Sequence, residues 1–187
     1  MKRLEVTKQV IEKWTGESGV KELYPPGSSS DLAPGRAGLL RTACKGLVCE
    51  VGCGNGRVAT CFESDAYVGL DINPAALVLA QKRLPEHKFL RVEYEDPYPK
   101  ADTYLFYTCL FHVPDEELPN VLTRLSGRVV VCESMARSFR KTGKEFQRDA
   151  EEYIEWFSRS GFEQVSCDKL DIPKFPFFDN ILVMEKR

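Results

Sequence analysis

The chain has 187 residues, 43% hydrophobic and 29% charged, which excludes a disordered chain, a coiled coil or a collagen-like repeat and predicts one domain with a small appendage. Lys and Arg number 26 against 28 Asp and Glu, so no global charge points to a nucleic-acid or membrane-surface binder. No apolar run approaches the roughly 18 residues of a membrane span, the N-terminus lacks the apolar core of a signal peptide, and seven Cys without a C-x-x-C pair read as reduced thiols of a cytoplasmic protein.

In chain order, Val6, Val10, Ile11 and Trp14 mark a short amphipathic helix. A loop from Tyr24 to Asp31, rich in Pro, Gly and Ser, leads to a helix around Leu39, Leu40 and Ala43. Residues 1–45 form a helical and loop cap, which either covers the open strand ends of the main domain, 46–187, or decorates its surface. Leu47–Val51 is a two-sided apolar run, the pattern of a buried parallel strand. Ala66–Leu70 is a second strand, ending at Asp71. Asn73-Pro74 then reads as an N-cap followed by Pro at the first helical position, opening a helix that carries Leu77, Ala80, Gln81 and Leu84.

Lys88–Val92 and Thr103–Tyr107 are the third and fourth strands. Asp115-Glu116-Glu117 opens a helix with Leu118, Val121, Leu122 and Leu125 on its apolar face, closed by Gly127. Arg128–Cys132 is a fifth strand and Asp149–Ser160 a further helix. Val165–Leu170 and Asn180–Met184 are late strands joined by a stretch rich in Pro and Phe. No helix separates them, so one runs antiparallel. The alternation predicts an α/β domain with a mostly parallel sheet.

The strongest motif follows the first strand: Glu50-Val51-Gly52-Cys53-Gly54-Asn55-Gly56. Glycines remove side chains where a ligand must touch backbone, beyond the carboxyl ends of the strands. The spacing is G-x-G-x-G. The final Gly of a dinucleotide fingerprint is replaced by Arg57, and no Gly-Lys-Ser/Thr follows, so neither a nicotinamide site nor a P-loop fits. Glu50 at the strand end disfavours a pyrophosphate and favours a cation. Asp71, at the tip of the next strand, stands where an acid accepts ribose hydroxyls. The preferred ligand has a ribose, positive charge and no phosphate chain; S-adenosylmethionine fits, with its sulfonium, α-amino group and adenosine.

With these motifs the chain resembles the class I S-adenosylmethionine-dependent methyltransferases, over roughly residues 46 to 187. The resemblance rests on Glu50–Gly56, on Gly69-Leu-Asp-Ile-Asn-Pro74 and on the run Tyr107–Leu118, with Ser160-Gly161-Phe162 as a weaker match. It implies a Rossmann-like, doubly wound, seven-stranded sheet with one antiparallel strand near the C-terminus and helices on both faces. It also implies methyl transfer from S-adenosyl-L-methionine, leaving S-adenosyl-L-homocysteine. By the same resemblance Glu50 and the turn Gly52, Cys53, Gly54, Asn55 and Gly56 hold the methionine end. Asp71 holds the ribose and Ile72 packs on the adenine. Glu93, with Tyr94 beside it, meets the adenine amino group, with Glu95 and Asp96 as competing carboxylates. Thr108 and Cys109 pass the methionine end.

Asp96-Pro97-Tyr98-Pro99 superficially matches the Asp-Pro-Pro-Tyr motif of amino-directed nucleic-acid methyltransferases. It precedes the fourth strand rather than following it and lacks the second adjacent Pro. Methyl transfer is an in-line displacement in which the protein supplies position and sometimes a base. His112 is a candidate base or an orderer of its loop, and Glu133 and Tyr24 are further candidates. Arg137, Arg140 and Lys141, with Lys144 and Arg148, make a basic segment that either binds an anionic acceptor or forms a solvated face balanced by Glu151, Glu152 and Glu155. The expectation is a small-molecule acceptor. A methyltransferase for RNA or protein, and a non-catalytic cofactor-binding partner protein, are the alternatives. The sequence predicts no metal site and leaves the oligomeric state open.

Overall fold

The computed structural model describes residues 8–9, 12–15, 32, 35–93, 95–135, 146, 148–170 and 179–187. Tyr24, Tyr94, Arg137, Arg140, Lys141, Lys144 and the Phe175–Phe178 stretch lie outside them. The elements are α1 (Arg36–Ala43), β1 (Val48–Val51), β2 (Tyr67–Asp71), α2 (Pro74–Arg83), β3 (Lys88–Arg91), β4 (Thr103–Tyr107), α3 (Leu118–Thr123), β5 (Arg128–Ser134), α4 (Ala150–Arg159), β6 (Phe162–Leu170) and β7 (Asp179–Lys186). Residues 8–9 and 12–15 are also helical. The strands form one seven-stranded sheet in the order β3-β2-β1-β4-β5-β7-β6. β1 pairs in parallel with β2 and β4, β2 with β3, and β4 with β5, while β7 runs antiparallel to both β5 and β6.

The central strands are buried on both faces, and their side chains alternate between two cores with the period of two that a pleated strand imposes. Cys49, Val51, Tyr104, Phe106, Val129 and Val131 face one core, filled by Leu118, Val121 and Leu122 of α3 and Tyr153 and Phe157 of α4. Val48, Leu105, Tyr107, Val130 and Cys132 face the other, closed by Leu40 of α1 with Val58 and Tyr67. The order reverses between β1 and β4, which leaves a crevice at the carboxyl ends of the strands. All seven cysteines are free thiols. Among the described residues no helix is long and apolar enough to cross a membrane.

Three local expectations change. The helix after β4 begins at Leu118, not at Asp115. Pro119 lacks an N–H and is tolerated only in a first helical turn, so a start at 115 would put it in the interior. The buried face of α2 runs through Ala76 and Ala80, with Gln81 exposed. β6 starts at Phe162, directly after Gly161 (φ 84), although Glu163, Gln164 and Val165 are exposed. It is an edge strand, held by its ladder to β7 rather than by burial, so it lacks the hydrophobic pattern that marks an interior strand.

Candidate active site

The crevice opens into a cavity whose floor is the turn after β1, lined by Glu50, Val51, Gly52, Cys53 and Gly54. Gly52, Gly54 and Gly56 have φ values of 78, 53 and 75. The turn is laid over the end of β2 by Gly52 N–H and Cys53 N–H, both donating to the Leu70 carbonyl at 2.8 and 2.9 Å. A Cβ on Gly52 would sit 2.4 Å from Cys109 Sγ. Gly52→Ala therefore combines left-handed strain with overpacking, together roughly 2–4 kcal/mol. The expected result is a melting temperature lower by roughly 5–15 °C for a domain of this size. Adding Cys109→Gly should restore part of the loss; no recovery in a differential scanning measurement would remove the steric explanation.

Asp71 closes one side. Its Oδ2 accepts from Gly54 N–H at 2.7 Å and its Oδ1 from Asn73 N–H at 2.8 Å, so one carboxylate joins the two turns that face the cavity. Burial raises its pKa, opposed by backbone bonds from Asn73, Gly54 and Ile72. Asn73 caps α2, its Oδ1 accepting from the Ala75 and Ala76 amides, and its Nδ2 donates to the Trp14 carbonyl at 2.6 Å. The N-terminal turn is thereby brought over the cavity, and Trp14 lies on its wall.

Glu50 is 2% exposed and accepts a hydrogen bond from the Tyr67 hydroxyl. Burial pushes its pKa up to about 8, against the opposing effects of Tyr67 and Arg57. A nearby positive charge would favour the ionised form of such a buried carboxyl. Thr108, at the tip of β4, has a φ of 50, strained for a β-branched residue, and accepts from Arg57 Nη2 at 3.0 Å. His112 packs against Trp14 and Phe111 with tilted rings, their centroids 4.4 and 4.1 Å away. Burial, with the charge of Lys13, pushes its pKa down to about 3.

The cavity thus gathers Glu50, Gly52, Cys53, Gly54, Asp71, Ile72, Glu93, Thr108, Cys109 and His112 of the expected site. Asn55 is buried but is not part of the lining, and Gly56 faces Phe89 and Ala80 instead. Glu93 pairs with Arg91 at 2.6 Å, and its N–H donates to Asp96 Oδ2 at 2.7 Å. Asp96 is thus occupied in shaping this turn. Glu133 lies below the cavity rather than on it, fully buried. Arg148 is 3% exposed and ion-paired to Asp115 at 2.6 Å, so it does not belong to a solvent-facing basic patch.

The sequence reading missed Trp14, Arg57, Asn73, Tyr98 and Arg124 as lining residues. Tyr98 sits in the Pro-rich stretch set aside as a false motif, and its ring carries the Arg124 guanidinium at 4.6 Å. Proline flanks at 97 and 99 were the only local sign that this tyrosine is held in place.

Residues 48–131 match the sequence model of a methyltransferase domain. The domain's fold agrees with solved structures. The magnesium protoporphyrin IX methyltransferase of Synechocystis, with bound SAH, is 16% identical with a TM-score of 0.73, over 97% of this chain and 100% of that one. The 1,6-didemethyltoxoflavin-N1-methyltransferase of Burkholderia thailandensis, with its substrate and S-adenosylhomocysteine, is 14% identical with a TM-score of 0.70, over 99% of this chain and 89% of that one. An S-adenosylmethionine-dependent methyltransferase of Methanosarcina mazei is 16% identical with a TM-score of 0.64, over 83% and 98%. At these identities the likeness is one of fold. Among curated proteins nothing matches.

Proposed function

We propose that the chain is an S-adenosylmethionine-dependent methyltransferase that acts on a small acceptor. The observation that carries this reading is the glycine turn with its bare backbone on the cavity floor, between the buried carboxyl of Glu50 and the half-buried carboxyl of Asp71. The residues fit the cofactor: the bare turn at Gly52 has no Cβ to crowd it, and Glu50 on the cavity wall is an acid that a cationic ligand would ionise. Bound S-adenosylmethionine supplies a methyl carbon already activated by its sulfonium. Glu50 and the 52–54 turn hold the methionine end and Asp71 the ribose. Ile72 and Glu93 flank the adenine, and Thr108 and Cys109 pass the sulfur. Two of the proteins that share the fold are named for small flat acceptors, a porphyrin and a toxoflavin precursor. Trp14 and His112 give this cavity an aromatic wall suited to the same class.

Saturating S-adenosylhomocysteine, at about 100 times its dissociation constant, should stabilise the fold by roughly 2.7 kcal/mol, a rise of roughly 5–10 °C. No shift in melting temperature and no heat on calorimetric titration would end this reading.

His112 is neutral throughout the working range, and its conjugate acid is strongly disfavoured. A base near pH 7 is better matched than one near 3, so His112 positions the acceptor rather than taking its proton. Once an acceptor is found, His112→Gln should lower kcat by less than about tenfold. A general base would show a loss of about 10²–10⁴.

A further inference from the structure

A buried polar cluster lies beneath the cavity, and the proposed reaction does not use it. Glu133, on β5, is fully buried; Oε2 accepts from the Cys109 N–H at 3.1 Å and Oε1 from the Tyr153 hydroxyl. Arg148 stands beside it, its guanidinium 5.6 Å from the Tyr153 ring centroid. Arg148 Nε and Nη2 donate to Asp115 Oδ1 at 2.9 and 2.6 Å, Nη1 to the Leu110 carbonyl at 3.2 Å, and Nη2 to the Val113 carbonyl at 2.7 Å. Every one of these backbone attachments falls between Cys109 and Asp115.

That stretch joins β4 to α3 and carries Cys109, His112 and Val113 of the cavity wall. Its backbone bonds are a single 3₁₀ turn, His112 N–H to the Cys109 carbonyl at 3.0 Å and Val113 N–H to the Leu110 carbonyl at 2.9 Å, with the Phe111 carbonyl accepting from Phe146 N–H at 2.6 Å and the Pro114 carbonyl from the Glu117 and Leu118 amides at 2.9 and 3.0 Å. It follows Thr108, a strained residue that holds its conformation only where its surroundings enforce it. Leu110 is fully buried and Val113 nearly so; the Leu110 carbonyl already accepts from Val113 N–H, and the Val113 carbonyl takes its donor from Arg148, in place of water.

We infer that Glu133 and Arg148 are positioning residues: one from β5 and one from the segment just before α4, they clamp the 109–115 loop against the sheet and so set the wall of the cavity at the methyl-donor end. Neither is among the described residues that line the cavity. A planar guanidinium reaches two carbonyls and a carboxylate at once, which a lysine ammonium does not reproduce. Glu133 offers an acceptor to Cys109 N–H that glutamine retains and leucine lacks.

The inference rests on the cavity being the cofactor site, and its test separates the two. The chain has two tryptophans, so Trp156→Phe leaves Trp14, which packs against His112, as the single reporter. In this background Arg148→Lys, Glu133→Gln and Glu133→Leu are compared with the parent. Three quantities are read: S-adenosylhomocysteine affinity, hydrogen exchange of residues 108–115, and Trp14 emission. Arg148→Lys is expected to weaken binding about tenfold, to speed exchange in the loop while the amides of β1, β4 and β5 stay protected, and to shift Trp14 emission. Glu133→Leu does the same, and Glu133→Gln recovers most of the binding. Affinity and loop exchange within twofold of the parent in Arg148→Lys overturn the clamp. So does exchange that rises across the whole sheet as much as in the loop. A parent that takes up no S-adenosylhomocysteine overturns the function and, with it, the role assigned to the clamp.

Discussion

Asp71→Ala is expected to weaken S-adenosylhomocysteine binding by about 100-fold or more. Two effects act together. The ribose loses two hydrogen bonds to a carboxylate, each worth roughly 1.5–3 kcal/mol. The Gly54 and Asn73 amides also lose their shared acceptor, so the two turns that shape the cavity are no longer tied to each other. Calorimetric titration checks the first effect, and circular dichroism confirms that the sheet survives. Asp71→Asn keeps one carbonyl acceptor and should fall between the variant and the parent. Binding within threefold of the parent in Asp71→Ala would mean that the ribose lies elsewhere.

The second large effect is a pH dependence that Glu50→Gln removes. The folded pKa of Glu50, about 8, lies above its ordinary value of 4.5 because the carboxyl is buried. An ammonium or sulfonium beside it requires the carboxylate, so binding of the cationic ligand expels a proton below pH 8. Affinity in the parent should therefore rise with pH from 6 to 8, by up to tenfold per unit. In Glu50→Gln that slope disappears, and at pH 8 the affinity drops by roughly 10–100-fold with the loss of a charge-assisted hydrogen bond. The same displacement sets the stability of the empty protein. A folded state that binds more protons than the unfolded chain loses stability as pH rises, from about 4.5 through about 8. Glu133, raised to about 7 by burial, contributes in the same direction, so the stability slope is reduced in Glu50→Gln rather than abolished. Equal slopes of affinity in parent and variant would show that Glu50 does not face the ligand's charge.

The strands that hold the site were legible because they are central. β1, β2 and β4 are short and apolar on both faces, β1 ends in the glycine turn and β2 runs into the Asn73-Pro74 cap, and each begins and ends within a residue of expectation. The carboxylates were legible for the same reason: a strand tip next to a glycine turn has one place to point. Where burial is weak, as at β6, or where one proline decides the first helical turn, as at Pro119, the pattern misled. Arg148 shows the limit most clearly. In sequence it belongs to a run of basic residues, and in the fold it is the buried partner of Asp115 and of two carbonyls.

The amino-acid sequence by itself determined the sheet, the glycine turn and the pair of acids, because these depend on local periodicity and on which residues accept a positive φ. The tertiary structure alone decided which side chains complete the cavity and which are buried behind it. Trp14 meets His112, Tyr98 meets Arg124, and Glu133 meets the Cys109 amide across long stretches of chain. Contacts of that kind arise from how the packed layers bring distant segments together, and no short-range pattern in the sequence encodes them.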